Sequence, residues 1–266
     1  MLLTFAAMFV TKKLCSSSSY STIAKRQAEV SHPLFVHIKD EEFRLIDPFT
    51  RIYTFVASHT SQGNLSGIKE DFQVLPYQNR TSALEAVLQS LVFVGLPKVL
   101  NACATLQQAN LLPRKEDLLV ETEVGCQLGD SLSSVDVSKL SESDKFTIRG
   151  HDVFSKVYSS AAEKLSNRIR AFHPDLESWV MDFGYGRILS RPLLSLYQRE
   201  LCAIAALAGQ SVAPQLISHL RGALQVGASK EQVHSILKQT HFLFSPQAQE
   251  EVDAVWMTFE RSRAAL

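Results

Sequence analysis

The sequence has few cysteines, and no two of them are close. Cys15, Cys103, Cys126 and Cys202 are the four in 266 residues. Without a CxxC pair or a Cys/His cluster at zinc spacing, a disulfide framework and a structural zinc site are both excluded. Nor is there an excess of charge of either sign: 27 Lys and Arg balance 27 Asp and Glu. The basic surplus that marks broad nucleic-acid binding is missing. No apolar run approaches the roughly 20 residues needed to span a bilayer. No nucleic-acid partner, no membrane span and no metal are therefore expected. What is present is a 45% hydrophobic content, enough for one large core or two small ones.

Residues 1–28 differ from the rest. They carry Lys12, Lys13, Lys25 and Arg26, five serines, three threonines and no acidic residue. Basic, hydroxylated and acid-free is the composition of a mitochondrial transit peptide, a segment that can form a cationic amphipathic helix. A secretory signal is the rival, because Met1 to Val10 is mostly apolar. Its cations, however, follow the apolar run, which is the wrong order. Without those four cations the remainder holds 23 basic against 27 acidic residues, a mildly acidic chain suited to the mitochondrial matrix.

Beyond an irregular opening, helical spacing dominates. Ser82 and Glu85 read as an S-x-x-E capping box ahead of Leu84, Val87, Leu88 and Leu91. Gly95 closes that helix and Pro97 suits the first turn of the next. Residues 112–150, rich in Ser and Asp, read as an irregular connection whose one strand-like stretch is Leu118 to Glu123. Helices resume near Asp152 with Val153, Val157, Ala161 and Leu165. Pro174 opens a short helix that Gly184-Tyr185-Gly186 interrupts, and Pro192 starts another that ends near Gly209. Leu216, Leu220 and Leu224 mark the next, closed by Gly227. Ser229 and Gln232 form a second capping box, and Pro246 opens the last helix. The fold class is all-α.

Two stretches echo each other. "SALEAVLQSLVFVGLPKVLNA" from Ser82 and "KEQVHSILKQTHFLFSPQAQEEVD" from Lys230 are each a helix, an aromatic-rich exit, a proline and a helix. Pro97 and Pro246 stand 149 residues apart. This pattern predicts two tandem helical units, the first degenerate; the rival is that any two amphipathic helix pairs look alike. The predicted organisation is a transit peptide at 1–28, a degenerate repeat at 29–111, the connection at 112–150 and a helical domain at 151–266.

The second unit holds "DFGYGRILSRP" (Asp182 to Pro192), "RELCAIAALAGQ" (Arg199 to Gln210) and "SHLRGALQVGASKEQVHSIL" (Ser218 to Leu237). In order and spacing these segments resemble the carboxymuconolactone decarboxylase family, which shares its fold with alkyl hydroperoxidase D-like proteins. The resemblance implies an all-α bundle of that type and assembly as a homo-oligomer, a trimer or hexamer. It also implies a single functional histidine on the helix reading H-x-x-(A/G)-A-L-x-x-G, here His219. The hydroperoxidase motif places a Glu twelve residues before a CxxC pair and a His four after it. Glu200 and His219 keep that spacing, but Val212 and Gln215 occupy the cysteine positions. Neither can supply a thiolate or a resolving thiol, which argues against a thiol peroxidase.

The decarboxylase branch lacks those cysteines too. Its chemistry implies His219, oriented by Glu200, as a proton carrier for an enolate, since imidazole transfers protons both ways near neutral pH. Arg191 and Arg199 could hold the carboxylate of a small organic acid bidentately, and Tyr185 could line the pocket. Each has a plainer reading: a satisfied structural histidine, a carboxylate favoured by the helix dipole, arginines paired with neighbouring acids. Gly184-Tyr185-Gly186 lacks the preceding strand of a dinucleotide loop, and His151, His173, His234 and His241 form no ligand pattern. No cofactor is expected. In the first unit, Glu70 and Arg51 take the places of His219 and Glu200 at the 149-residue offset, so that unit is expected to serve packing. Two functions stay open: a cofactor-independent lyase-like enzyme, or a non-catalytic helical assembly protein.

Overall fold

The computed structural model describes residues 45–118 and 140–264. The described residues all belong to one compact unit. Every element among the described residues is helical, as the periodicity predicts. The first half contains α1 (Pro48–Gln62), α2 (Leu65–Val74), α3 (Arg80–Gln89), α4 (Leu91–Val94) and α5 (Leu96–Gln108). The second contains α6 (Glu142–Tyr158), α7 (Ala162–Phe172), α8 (Pro174–Trp179), a π-helical segment (Val180–Leu189), α9 (Leu196–Ala208), α10 (Ala213–Gln225), α11 (Lys230–His241) and α12 (Pro246–Ala264).

Local chemistry sets most of the boundaries. The Asp47 side chain accepts from the Thr50 amide, Pro48 supplies the fixed φ of a first turn, and Gly63 at φ 72° ends α1. Ser229 and Gln232 form the expected capping box of α11. Two more capping boxes escaped the sequence reading: Ser195 with Gln198 on α9, and Ser141 with Asp144 on α6. The latter moves the resumption of helix from Asp152 back to Glu142, so the irregular connection is shorter than 112–150. All but the first residue of the expected strand, Leu118 to Glu123, lies outside the described residues, as does the leader at 1–28.

Three other expectations change. Ser82 caps nothing: α3 begins at Arg80, directly after a 3-10 turn, and Glu85 is buried for another purpose. Pro192 precedes α9 by a turn, because Ser195 makes the better cap. Gly184-Tyr185-Gly186 does not interrupt a helix but sits inside the π-helical segment that continues α8. The widened backbone fits closely against α6. A Cβ on Gly150 would lie 1.9 Å from the Met181 carbonyl oxygen, and one on Gly186 would lie 2.2 Å from that of Phe146. Glycine on both sides is what lets these two backbones touch, and the crossing brings Tyr185 against Tyr158.

At the centre, α1 and α9 run through the core with nearly every side chain buried. Small residues, among them Ala57, Ser58, Ala205 and Ala206, let the two approach closely. The Ser61 hydroxyl donates to the Ala206 carbonyl at 2.6 Å, and the Gln198 amide donates to the Thr50 hydroxyl at 2.8 Å. Around this pair, α10, α11 and α12 pack through Leu216, Leu220, Val233, Ile236, Val252 and Phe259. The starts of α1, α2, α3 and α5 precede those of α9, α10, α11 and α12 by 148, 148, 150 and 150 residues.

Candidate functional site

Helices α9 and α10 form an antiparallel pair joined by a short loop, so a residue early in one faces a residue midway along the other. Glu200 and His219 occupy those places. His219 Nδ1 lies 2.9 Å from Glu200 Oε2, with side chains 8% and 3% exposed. The contact depends on Gly222, one turn beyond His219. A Cβ there would stand 2.6 Å from Glu200 Oε2 and 2.7 Å from Val157 Cγ1, so any larger residue would displace the carboxylate. Since a carboxylate accepts, Nδ1 carries the ring proton of the neutral imidazole and Nε2 keeps the lone pair. No described residue hydrogen-bonds Nε2.

Aromatic rings surround the imidazole. Phe93 of α4 meets it edge-on at 5.4 Å between centroids, and Tyr158 of α6 lies at 6.4 Å. Tyr158 and Tyr185 share a 2.7 Å hydrogen bond between their hydroxyls, and Phe154 packs edge-on against Tyr185. Burial, with Glu200 adding to it, raises the Tyr158 phenol well above its ordinary range; burial and then Tyr158 do the same for Tyr185. Both therefore stay neutral O–H groups.

Tyr185 thus reaches the neighbourhood of His219, through Tyr158. The two arginines converge on a different carboxylate. Arg191 binds Glu85 of α3 bidentately, Nη2 to Oε1 at 2.8 Å and Nε to Oε2 at 3.0 Å. Arg199, 1% exposed, reaches the same Glu85 Oε2 at 3.2 Å, Gln89 Oε1 at 3.1 Å and the Arg191 carbonyl at 2.6 Å. The bidentate grip foreseen for a substrate carboxylate is thus taken up by an internal one. Burial lowers the Arg199 pKa from its usual value, opposed by Glu85.

Sequence reasoning missed Glu85, because S-x-x-E also spells a capping box. It missed Tyr158 and Phe93, because nothing local links them to the histidine. Gly222 was visible as the glycine three residues after His219, but its purpose was not. The first half also holds a pair of its own: His59 Nδ1 lies 2.8 Å from Asp71 Oδ2, both buried, with Gly67 directly against the ring. The expectation of Glu70 and Arg51 as that unit's counterparts gave no hint of it.

Among the described residues, the cysteines Cys103 and Cys202 supply no reactive thiolate to this pair. Cys202 is fully buried and its thiol is pushed up to about 12, while burial also raises half-buried Cys103. Among the described residues, no group of three or more His, Cys, Asp or Glu could hold a metal ion, and no helix is long and apolar enough to cross a membrane. A groove of about 450 Å³ runs between α10 and α12, walled by Leu207, Val212, Leu216, Val252 and Val255. Neither His219 nor Glu200 is among its walls.

Residues 174–255 match the model of the Carboxymuconolactone decarboxylase family, which covers Tyr185, Arg191, Arg199, Glu200 and His219 but neither Tyr158 nor Phe93. Two curated relatives, each named "Peroxisomal protein 2", share similarity over 57% of this chain. That of Schizosaccharomyces pombe is 31% identical over 152 residues, 63% of its length. That of Saccharomyces cerevisiae is 26% identical over 160 residues, 56% of its length. The chain thus spans less than two thirds of either relative. Their names overturn the mitochondrial-matrix expectation drawn from residues 1–28. An acid-free, basic, hydroxylated composition is an averaged property with no receptor-specific address in it, so it could not separate one destination from another.

The role given to Glu85 predicts that Glu85→Ala, by leaving the Arg199 guanidinium buried without its carboxylate, lowers unfolding free energy by about 3–5 kcal/mol. Urea denaturation measures this; a loss below about 1 kcal/mol would contradict it.

Proposed function

We propose that Glu200 and His219 form a cofactor-independent proton-transfer centre that acts on a small organic acid, by enolisation or decarboxylation, in a protein of the peroxisome. The observation that carries the reading is the 2.9 Å contact between the two groups, in the stretch that matches the decarboxylase family. A carboxylate on Nδ1 fixes the tautomer and the ring orientation, and its charge offsets the imidazolium that forms when Nε2 takes a proton. In the reaction, a C–H bond next to a carbonyl breaks, its proton goes to Nε2, and its electron pair moves to the carbonyl oxygen. The imidazolium then returns the proton to carbon. Where a carboxylic acid stands β to the carbonyl, its O–H proton passes to Nε2 and the C–CO2 bond breaks instead; the electron pair moves to the carbonyl oxygen, CO2 departs, and the imidazolium returns that proton to carbon.

In this reading Arg191 and Arg199 act at a distance, holding the entry to α9 through Glu85. The matching starts of the four helices in each half support two tandem units, and the first unit contributes Phe93 to the surroundings of His219. A second reading is a non-catalytic assembly protein, a homo-oligomer of the family kind. One observation favours it: Phe172, Leu176, Trp179 and Phe183 are exposed at helical spacing along α7, α8 and the π-helical segment. The purified full chain, incubated with a total metabolite extract, separates the two. The enzyme reading predicts at least one consumed compound and a loss of about 100-fold or more in its consumption in His219→Gln, with the oligomer unchanged. Consumption that is equal in both proteins, or absent from both, contradicts it.

The peroxisomal assignment rests on the names of the two relatives alone. Untagged full-length chain should co-sediment with a peroxisomal marker on density-gradient fractionation. Recovery with another organelle would overturn the assignment.

A further inference from the structure

We infer that Tyr158 and Tyr185 form a two-hydroxyl donor relay that binds the oxyanion of an enolate or phenolate-like ligand beside His219. The inference rests on the proton-transfer reading of His219 and adds to it the chemical class of what is bound: a planar, conjugated carbonyl compound whose negative charge gathers on oxygen.

The direction of the relay follows from counting hydrogens. Two hydroxyls hold two protons, and one lies in the 2.7 Å bond between them. Tyr185 is 5% exposed, while Tyr158 is only partly buried. Tyr158 is the one hydrogen-bond partner of the Tyr185 hydroxyl among the described residues. If Tyr158 donated, the Tyr185 proton would be stranded without an acceptor in an apolar wall of Phe154, Val153 and Met181. Tyr185 therefore donates inward to outward, and Tyr158 keeps its own O–H for a ligand. An acceptor bond from Tyr185 polarises that O–H and makes it a better donor. The raised phenol pKa values, set mainly by burial, keep both protons in place beside Glu200.

The surroundings suit a flat anion. The Tyr158 and His219 rings lie 6.4 Å apart at an interplanar angle of 61°, and Phe93 presents its ring to the imidazole at 87°. These rings offer aromatic faces, and Arg191 and Arg199 are engaged by Glu85. Charge on a ligand oxygen must then be met by hydroxyl donors, and charge gained at His219 by Glu200. When His219 takes the proton from carbon and the electron pair reaches oxygen, Tyr158 is the donor for that oxygen. Tyr158 and Phe93 both lie outside the family-matched residues 174–255, so this donor and wall come from the rest of the chain.

A phenol is a stable analogue of the enol, and 4-nitrophenol reports its own ionisation by its yellow absorption. Titrated into the full-length protein below the probe's own pKa, it should bind as the phenolate, its proton passing to His219 Nε2. Tyr158→Phe should weaken that binding by at least about tenfold, the worth of one hydrogen bond to a charged oxygen. Tyr185→Phe should weaken it less, since Tyr158 keeps its proton; circular dichroism checks that both variants fold. His219→Gln should abolish the yellow absorption at the same pH. A Tyr158→Phe protein that binds the phenolate as tightly as the wild type, or a wild type that binds none of the probe at millimolar concentration, overturns the relay. Phenolate that forms equally in His219→Gln overturns instead the proton-transfer reading beneath it.

Discussion

A buried imidazole and a buried carboxylate can meet across two helices only where the helices leave room for both, and here a single missing Cβ provides it. Gly222 lets the Glu200 carboxylate lie flat on α10 and accept from His219. Because the Nδ1 side of the ring and the carboxylate satisfy each other, both can be buried without the cost of an unpaired carboxylate or an unmet Nδ1 proton. The rest of the architecture serves that meeting. The largely buried α9 carries Glu200, and the capping box at Ser195 fixes where α9 begins. Glu85 ties Arg191 and Arg199, just before and early in α9, to the first half of the chain.

The two halves solve one packing problem in opposite senses. Each buries an imidazole–carboxylate pair between two consecutive helices, α1 and α2 in the first half and α9 and α10 in the second, with a glycine on the later helix making space. In the first half the histidine, His59, is on the leading helix and the acid on the following one; in the second the order is reversed. His59 has Gly67 pressed on its ring face, whereas His219 has aromatic edges around it and Tyr158 only partly buried nearby. An imidazole and a carboxylate thus make a closed pair in one half and a pair beside a partly buried tyrosine in the other.

Much of this was legible in the sequence, and the limits have physical causes. The period of Leu216, Leu220 and Leu224, the Ser229 box and the terminal Gly95 and Gly227 are local signals, and helices obey local rules. The nineteen-residue interval from Glu200 to His219 was also readable, because two helices joined by a short loop convert spacing into proximity. Glu85 was misread because the same four-residue string serves a cap and a buried ion pair, and only tertiary contact decides between them. Tyr158 stands 61 residues before His219, beyond the reach of any periodicity. The Gly184-Tyr185-Gly186 stretch looked like a helix breaker because glycine usually is one. Here it allows a backbone-to-backbone contact that only the crossing with α6 reveals.

The tautomer of His219 is the most direct measure of the account, since everything proposed for Nε2 follows from Glu200 holding the proton on Nδ1. Nitrogen-15 correlation spectra of histidine-labelled protein, with His219 assigned by comparison with His219→Gln, resolve the two ring nitrogens. The account predicts a protonated Nδ1 and a lone-pair-bearing Nε2 in the neutral ring, with the preference lost in Glu200→Ala. A neutral His219 that carries its proton on Nε2, or whose tautomer ignores the loss of Glu200, would contradict it.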